Sequence, residues 1–150
     1  MAQDLRITID KFTFTVEPSR MYTADGVWMQ DLGGGRVRLG VSDFVQQHSG
    51  DVAFATVKAA GTAIAAGDEF AALETVKANV SLLLPFAGTI AEVNPALDAT
   101  PEVVNRTPYG EGWLAVVLAT GWDAQAPGLL DGPAYLAVMT SQAEQELNQP

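Results

Sequence analysis

In LRITI, Leu5, Ile7 and Ile9 alternate with polar neighbours, and Phe12, Phe14 and Val16 carry the same alternation through FTFTV. A period of two places every second side chain on one face, so this stretch predicts a half-buried strand, or a strand pair with a kink. VWMQDLGGGRVRLGV predicts a hairpin, two strand-like runs meeting at Gly33, Gly34 and Gly35. SDFVQQHSG predicts a helix of at most two turns, with Ser42 or Asp43 as cap and Gly50 as stop.

From 51 to 94 strand-like runs are separated by turns: DVAFATVK, a turn at Gly61, TAIAAGDEFAALETV, ANVSLLLPF, a turn near Gly88, and TIAEVN. AAGTAIAAGDEF and FAGTIAEVNPAL each put a Gly-Thr step ahead of an apolar run, an echo that suggests two related sheet halves. DATPEVVN predicts a short helix capped by Thr100 with Pro101 at its first position. PYGEGWLAVVLAT returns to strand, and burial of Trp113 is expected in that context. After Asp131 as cap, Tyr135, Leu136, Val138, Met139, Ala143 and Leu147 recur at helical spacing, which predicts a C-terminal helix over 131–148 packed on a sheet. The pattern describes one mainly β domain over 1–150, with an extension strand within about 1–20.

Composition narrows what such a domain does. Eight basic and eighteen acidic residues give 8 − 18 = −10, which opposes binding to nucleic acid and to anionic membranes and suits docking on basic protein surfaces. With no cysteine there is no disulfide, thiolate metal site or Cys nucleophile. Asp4, Arg6 and Asp10 interrupt the apolar run that a secretory signal needs, so a cytoplasmic protein is expected.

No catalytic constellation emerges. Gly33 to Gly35 lack the Lys-Ser/Thr and the long helix of a phosphate loop, so they read as a turn. His48 is the lone histidine, with no motif tying it to a nucleophile or a second ligand. Asp68 with Glu69, and Asp98 with Glu102, sit in turn or cap contexts where solvated charge is the ordinary reading. Lys77 differs. DEFAAL leads in and VSLLLP leads out, so it falls at a hairpin tip, where an ammonium is either plainly solvated or presented for covalent modification.

Four blocks, GVSDFVQQHSGDVAF, GDEFAALETVKA, LPFAGTIAEVNPAL and PEVVNRTPYGEGWL, together resemble the H-protein of the glycine cleavage system and its homologues, from about Tyr22 to Tyr135. The resemblance implies a lipoyl-domain-like antiparallel β sandwich, a barrel-sandwich hybrid with short helices and a C-terminal helix. It also implies lipoic acid on the lysine of a Glu-Ser-Val-Lys-Ala type turn. Lys77 matches that lysine, and Glu74 matches the acidic residue three before it, a recognition point for the lipoate ligase or lipoyl transferase. Gly88 matches the glycine of the turn after the return strand. Asn94, Asn105, Pro108, Tyr109, Gly110, Gly112 and Trp113 match later blocks, read as fold and arm-docking surface.

The implied protein is a monomeric carrier and not an enzyme. Its arm swings between a pyridoxal-phosphate decarboxylase, a folate-dependent aminomethyltransferase and dihydrolipoamide dehydrogenase. Homologues that carry sulfur intermediates for a heterodisulfide-reductase-like complex in sulfur oxidation offer an alternative. A biotinyl carrier, whose lysine sits in Met-Lys-Met, and a binding module with an incidental lysine are the others. The chain departs from the family at MYTADGVWMQ, which lacks the usual His-Glu-Trp step, at Thr75 in place of Ser, at SLLLPFAG, and in its longer N-terminus.

Overall fold

In the computed structural model, which describes residues 5–120, 122, 123, 126 and 128–147, the N-terminal alternation becomes a hairpin. Strand β1 (Leu5–Ile9) pairs antiparallel with β2 (Phe12–Val16), Ile7 facing Phe14. There follow β3 (Met21–Tyr22), β4 (Val27–Gly33), β5 (Arg36–Val41), helix α1 (Asp43–Ser49), β6 (Val52–Val57), β7 (Ala63–Ile64), β8 (Glu69–Thr75) and β9 (Asn79–Leu83). The chain continues through β10 (Gly88–Val93), the single-turn helices α2 (Ala96–Ala99) and α3 (Val103–Arg106), β11 (Ala115–Ala119) and α4 (Gly132–Leu147). Asn148, expected in the last helix, and the side chain of Leu147 lie outside the described residues.

Two larger sheets form the body: six strands in the order β3-β4-β5-β11-β10-β7, and three in the order β6-β8-β9. All pairings are antiparallel, as a lipoyl-type β sandwich requires. Val37, Leu39 and Val117 of the larger sheet and Phe70, Leu73 and Leu82 of the smaller belong to one buried core. A second core joins the β1–β2 hairpin, α1 and α4 through Phe14, Val16, Tyr22, Trp28, Phe44, Tyr135, Met139 and Ala143. The side chain of Asp131 caps α4 by accepting from Ala134 N–H at 2.9 Å.

The Gly-Thr echo has a local explanation. Its two copies are neighbours in one sheet, since Gly61 N–H donates to the Ile90 carbonyl and Ile90 N–H to the Thr62 carbonyl, at 2.8 and 2.9 Å. The Gly33-Gly34-Gly35 corner takes φ of 89°, 64° and 82°, the left-handed region that other residues enter at a cost.

Three expectations are corrected. Gly88 opens β10 and is buried; a Cβ there would lie 2.5 Å from Val117 Cγ1, so close approach of β11 demands glycine, not a turn. The helix expected from Thr100 starts later, as the single turn α3 from Val103 with Glu102 at its N-cap and no side-chain cap, while Thr100 instead closes α2. Trp113 is half-buried outside any strand, under the Arg38 guanidinium at 5.1 Å. Trp28 has the buried role instead: its Nε1 donates to the Pro108 carbonyl at 2.9 Å and its ring fills the space over Gly40.

Three buried hydroxyls clasp the second core. Tyr22 donates to the Glu17 carbonyl and Tyr109 to the Thr15 carbonyl, each at 2.7 Å, and Tyr135 shares a 2.7 Å hydrogen bond with Ser42. Burial raises the pKa of all three, that of Tyr135 to about 12. Because these folded values lie above the unfolded one near 10, the hydroxyls' contribution is complete below about pH 10 and is lost as pH rises through the raised values. Truncation separates the two tryptophans: Trp28→Ala should lower stability by about 3–5 kcal/mol and Trp113→Ala by clearly less, read as urea unfolding midpoints. Equal losses would contradict this placement.

Candidate functional site

Strands β8 and β9 end on the pair Glu74 and Asn79, and Val76, Lys77 and Ala78 turn the corner. Thr75 holds the corner. Its N–H donates to the Ala78 carbonyl at 2.9 Å, and its Oγ1 accepts from Ala78 N–H at 3.0 Å and from Lys77 N–H at 3.2 Å. A serine hydroxyl would reach the same amides, so the departure from the family's serine keeps the chemistry. Val76 N–H reaches the Asp51 carbonyl at 3.3 Å, which ties the tip to the segment linking α1 and β6.

Lys77 is exposed, and its stem leans in a definite direction. It passes over Gly50, where a Cβ would come within 3.5 Å of Lys77 Cγ and Cδ, and Nζ donates to the His48 carbonyl at 3.4 Å. That carbonyl belongs to the last turn of α1, the end of a helix that attracts a cation. Gly50 closes α1 at φ 88°, and its N–H returns to the Gln46 carbonyl.

The platform under the lysine is fixed from far along the chain. Asn105 Oδ1 accepts from Val52 N–H at 2.9 Å, while its Nδ2 donates to the Gly50 carbonyl at 3.0 Å and to Gln46 Oε1 at 3.1 Å. Buried Asn94 does similar work, donating to the Glu111 and Trp113 carbonyls and accepting from Ala96 N–H. Gly112 is packed so closely that a Cβ would sit 2.6 Å from the Val103 carbonyl. Tyr109 accepts from Asp43 N–H at 3.2 Å, and Pro108 supplies the acceptor for Trp28. These later-block residues build the frame of the site.

Beside Lys77 opens an apolar cleft of about 200 Å³. Phe12 and Phe14 wall it from β2, Phe44 from α1 and Ala143 from α4, with Gln47 and His48 at the edge. Phe14 meets Phe44 edge-on at 5.4 Å, and His48 stacks on Phe44 at 5.6 Å. Glu74, though on the same turn, faces elsewhere. It is exposed across from Phe54, itself 65% exposed, and the two line a separate hollow on the outer face of the smaller sheet. Among the described residues no group of three or more His, Cys, Asp or Glu is placed to hold a metal.

The contributions of Gly50, Asn105, Phe12 and Phe14 escape a reading of the sequence near Lys77. Each lies 27 or more positions from Lys77, and only the glycine stop after QQHS hinted at one of them.

The fold is an antiparallel β sandwich that presents an exposed lysine on a pinned hairpin tip, its stem laid toward an apolar cleft. Residues 20–142 match the family model described as Glycine cleavage H-protein. A glycine cleavage system H protein of Mycobacterium tuberculosis is 39% identical over 124 residues, covering 79% of this chain and 92% of the relative. One from Mycobacterium avium is 36% identical over 128 residues, covering 83% and 97%. The crystal structure of a glycine cleavage system H protein from Mycobacterium marinum superposes with a TM-score of 0.72 at 31% identity, covering 81% of this chain and 97% of that one. The chain belongs to the glycine cleavage H-protein family. As a member it is a lipoyl carrier of glycine cleavage, and the sulfur-oxidation alternative finds no support in these relatives.

The turn's rigidity is testable. Thr75→Val should speed hydrogen exchange of the Lys77 and Ala78 amides, whereas Thr75→Ser should leave it near wild type, measured by NMR. Unchanged exchange in Thr75→Val would show that the hydroxyl does not hold the tip.

Proposed function

We propose that Lys77 is the lipoylated residue, and that the chain 1–150 works as one monomeric carrier domain with no catalysis of its own. The observation that carries this is the direction of the Lys77 stem, from a fixed turn over Gly50 to the mouth of an apolar cleft. The other two lysines are placed differently. Lys11 lies over the Phe12 ring at 5.9 Å, and Lys58 pairs with Glu69 at 3.9 Å.

The residues present suit the group. Amide formation removes the charge of Lys77, leaves one N–H that can still face the His48 carbonyl, and lets a chain of methylenes follow an apolar wall without desolvating an ammonium. When attached, the dithiolane supplies the reversible disulfide chemistry that a chain without cysteine cannot. Thr75 keeps the attachment point still, and the cleft beside it offers aromatic rings to the arm.

Glu74, exposed three residues before Lys77, is read as a recognition point for the lipoate ligase or lipoyl transferase. The arm then serves as aminomethyl carrier between the decarboxylase, the aminomethyltransferase and dihydrolipoamide dehydrogenase, in the cytoplasm with those enzymes. No described helix is long and apolar enough to cross a membrane. The acidic surface suits docking on basic partner surfaces.

Co-expression with a lipoate ligase should add one lipoyl group to the wild type, seen by intact mass, and none to Lys77→Arg, whose fold should be unchanged. Glu74→Ala should slow the modification. A wild type that stays unmodified would overturn the assignment of Lys77, and normal kinetics in Glu74→Ala would remove its role. Val76 and Ala78 flank the lysine where a biotinyl domain has methionines, so a biotin ligase should leave the protein unlabelled.

A further inference from the structure

The family model begins at residue 20, so the β1–β2 hairpin over residues 5–16 lies outside it. That hairpin is nonetheless built firmly into the site. Val16 is fully buried and Phe14 only 6% exposed. Asp43 of α1 accepts from Thr15 N–H at 2.9 Å, Gln47 donates to the Thr13 carbonyl at 2.9 Å, and Tyr109 donates to the Thr15 carbonyl. The hairpin is therefore clamped to the helix whose last turn receives the Lys77 ammonium.

Phe12 stands at the outer edge of this arrangement. It is 39% exposed, lies 6.2 Å from Phe14 with the rings nearly parallel, and lines the cleft opposite α1. Holding an aromatic ring partly in water on a clamped strand forgoes favourable apolar burial. A group entering the cleft recovers it. Lys77 stands at the same cleft, and the lipoyl group proposed for it is a chain of methylenes ending in a dithiolane. Among the described residues no carboxylate lines the space, and its walls are mostly aromatic.

We propose that the β1–β2 hairpin is a chain-specific wall for the lipoyl arm: Phe12, backed by Phe14, seats the arm of Lys77 against Phe44 of α1 and shields its dithiolane from solvent. The inference rests on lipoylation at Lys77. Phe12 is a contact of the arm and takes no part in the chemistry of the partner enzymes.

The test uses lipoylated full-length protein and a water-soluble phosphine, which is oxidised as it reduces the disulfide to two thiols, with the rate followed by loss of dithiolane absorbance. Wild type should react several-fold more slowly than free lipoamide. Phe12→Ser should recover most of that difference, and Phe12→Leu should retain most of the protection. Leu118→Ser, an exposed position on β11 away from the cleft lining, should match wild type. Phe12 is partly exposed, so Phe12→Ser should fold normally, confirmed by its unfolding midpoint. Equal rates in wild type and Phe12→Ser would overturn the proposal. So would protection that grows with protein concentration, since a second copy would then be the cover. A wild type that takes up no lipoyl group would sink the Lys77 assignment itself, and this inference with it.

Discussion

The structure depends on the bond between one hairpin tip and one short linker. A three-residue corner leaves backbone amides in need of partners, and here Thr75 and Asp51 supply them within the turn and from the linker after α1. With the corner fixed on both sides, the Lys77 stem leaves it in a set direction. Gly50 ends α1 at φ 88°, a conformation that favours glycine, and the Lys77 stem passes over it at van der Waals distance. Asn105 then fastens the linker through side-chain bonds that each span more than fifty positions of chain.

The two cores divide the labour. The core between the six- and three-stranded sheets makes the rigid body that carries the hairpin tip, and the core under α4 and β1–β2 makes the surface the tip faces. The departure from the family at DGVWM sits where the two cores meet, with Val27 and Met29 in the first and Trp28 in the second. Gly26, at φ 90°, lies where a Cβ would be 2.3 Å from Val45 Cγ2 and 2.9 Å from Tyr135 Oη. The place is filled by the Tyr135 and Ser42 pair, which joins α4 to the start of α1, so no larger residue fits at Gly26. The departure there is accommodated by close packing around Gly26.

Much of this was legible in the sequence, for reasons that are local. Alternation marked the strands, three glycines marked a corner, Ser42 and Asp131 marked helix starts, and the run around Lys77 marked a hairpin tip. The blocks that resemble the H-protein family identified the class of site. What stayed hidden was long-range. Nothing near Gly88 shows that β11 presses on it, nothing near Trp113 shows that Trp28 takes the interior instead, and nothing in FTFTV announces that Phe12 and Phe14 meet Lys77 across a cleft. Such facts follow from pairing register and packing, which short-range periodicity does not encode.

The central claim is that the arm hangs from Lys77 and from neither of the other two lysines. Fragmentation mass spectrometry of the lipoylated wild-type chain addresses it most directly, because Lys11, Lys58 and Lys77 fall in well-separated peptides. The account predicts the whole lipoyl mass increment on the fragment containing Lys77 and none on the others. An increment on Lys11 or Lys58, with Lys77 unmodified, would contradict it.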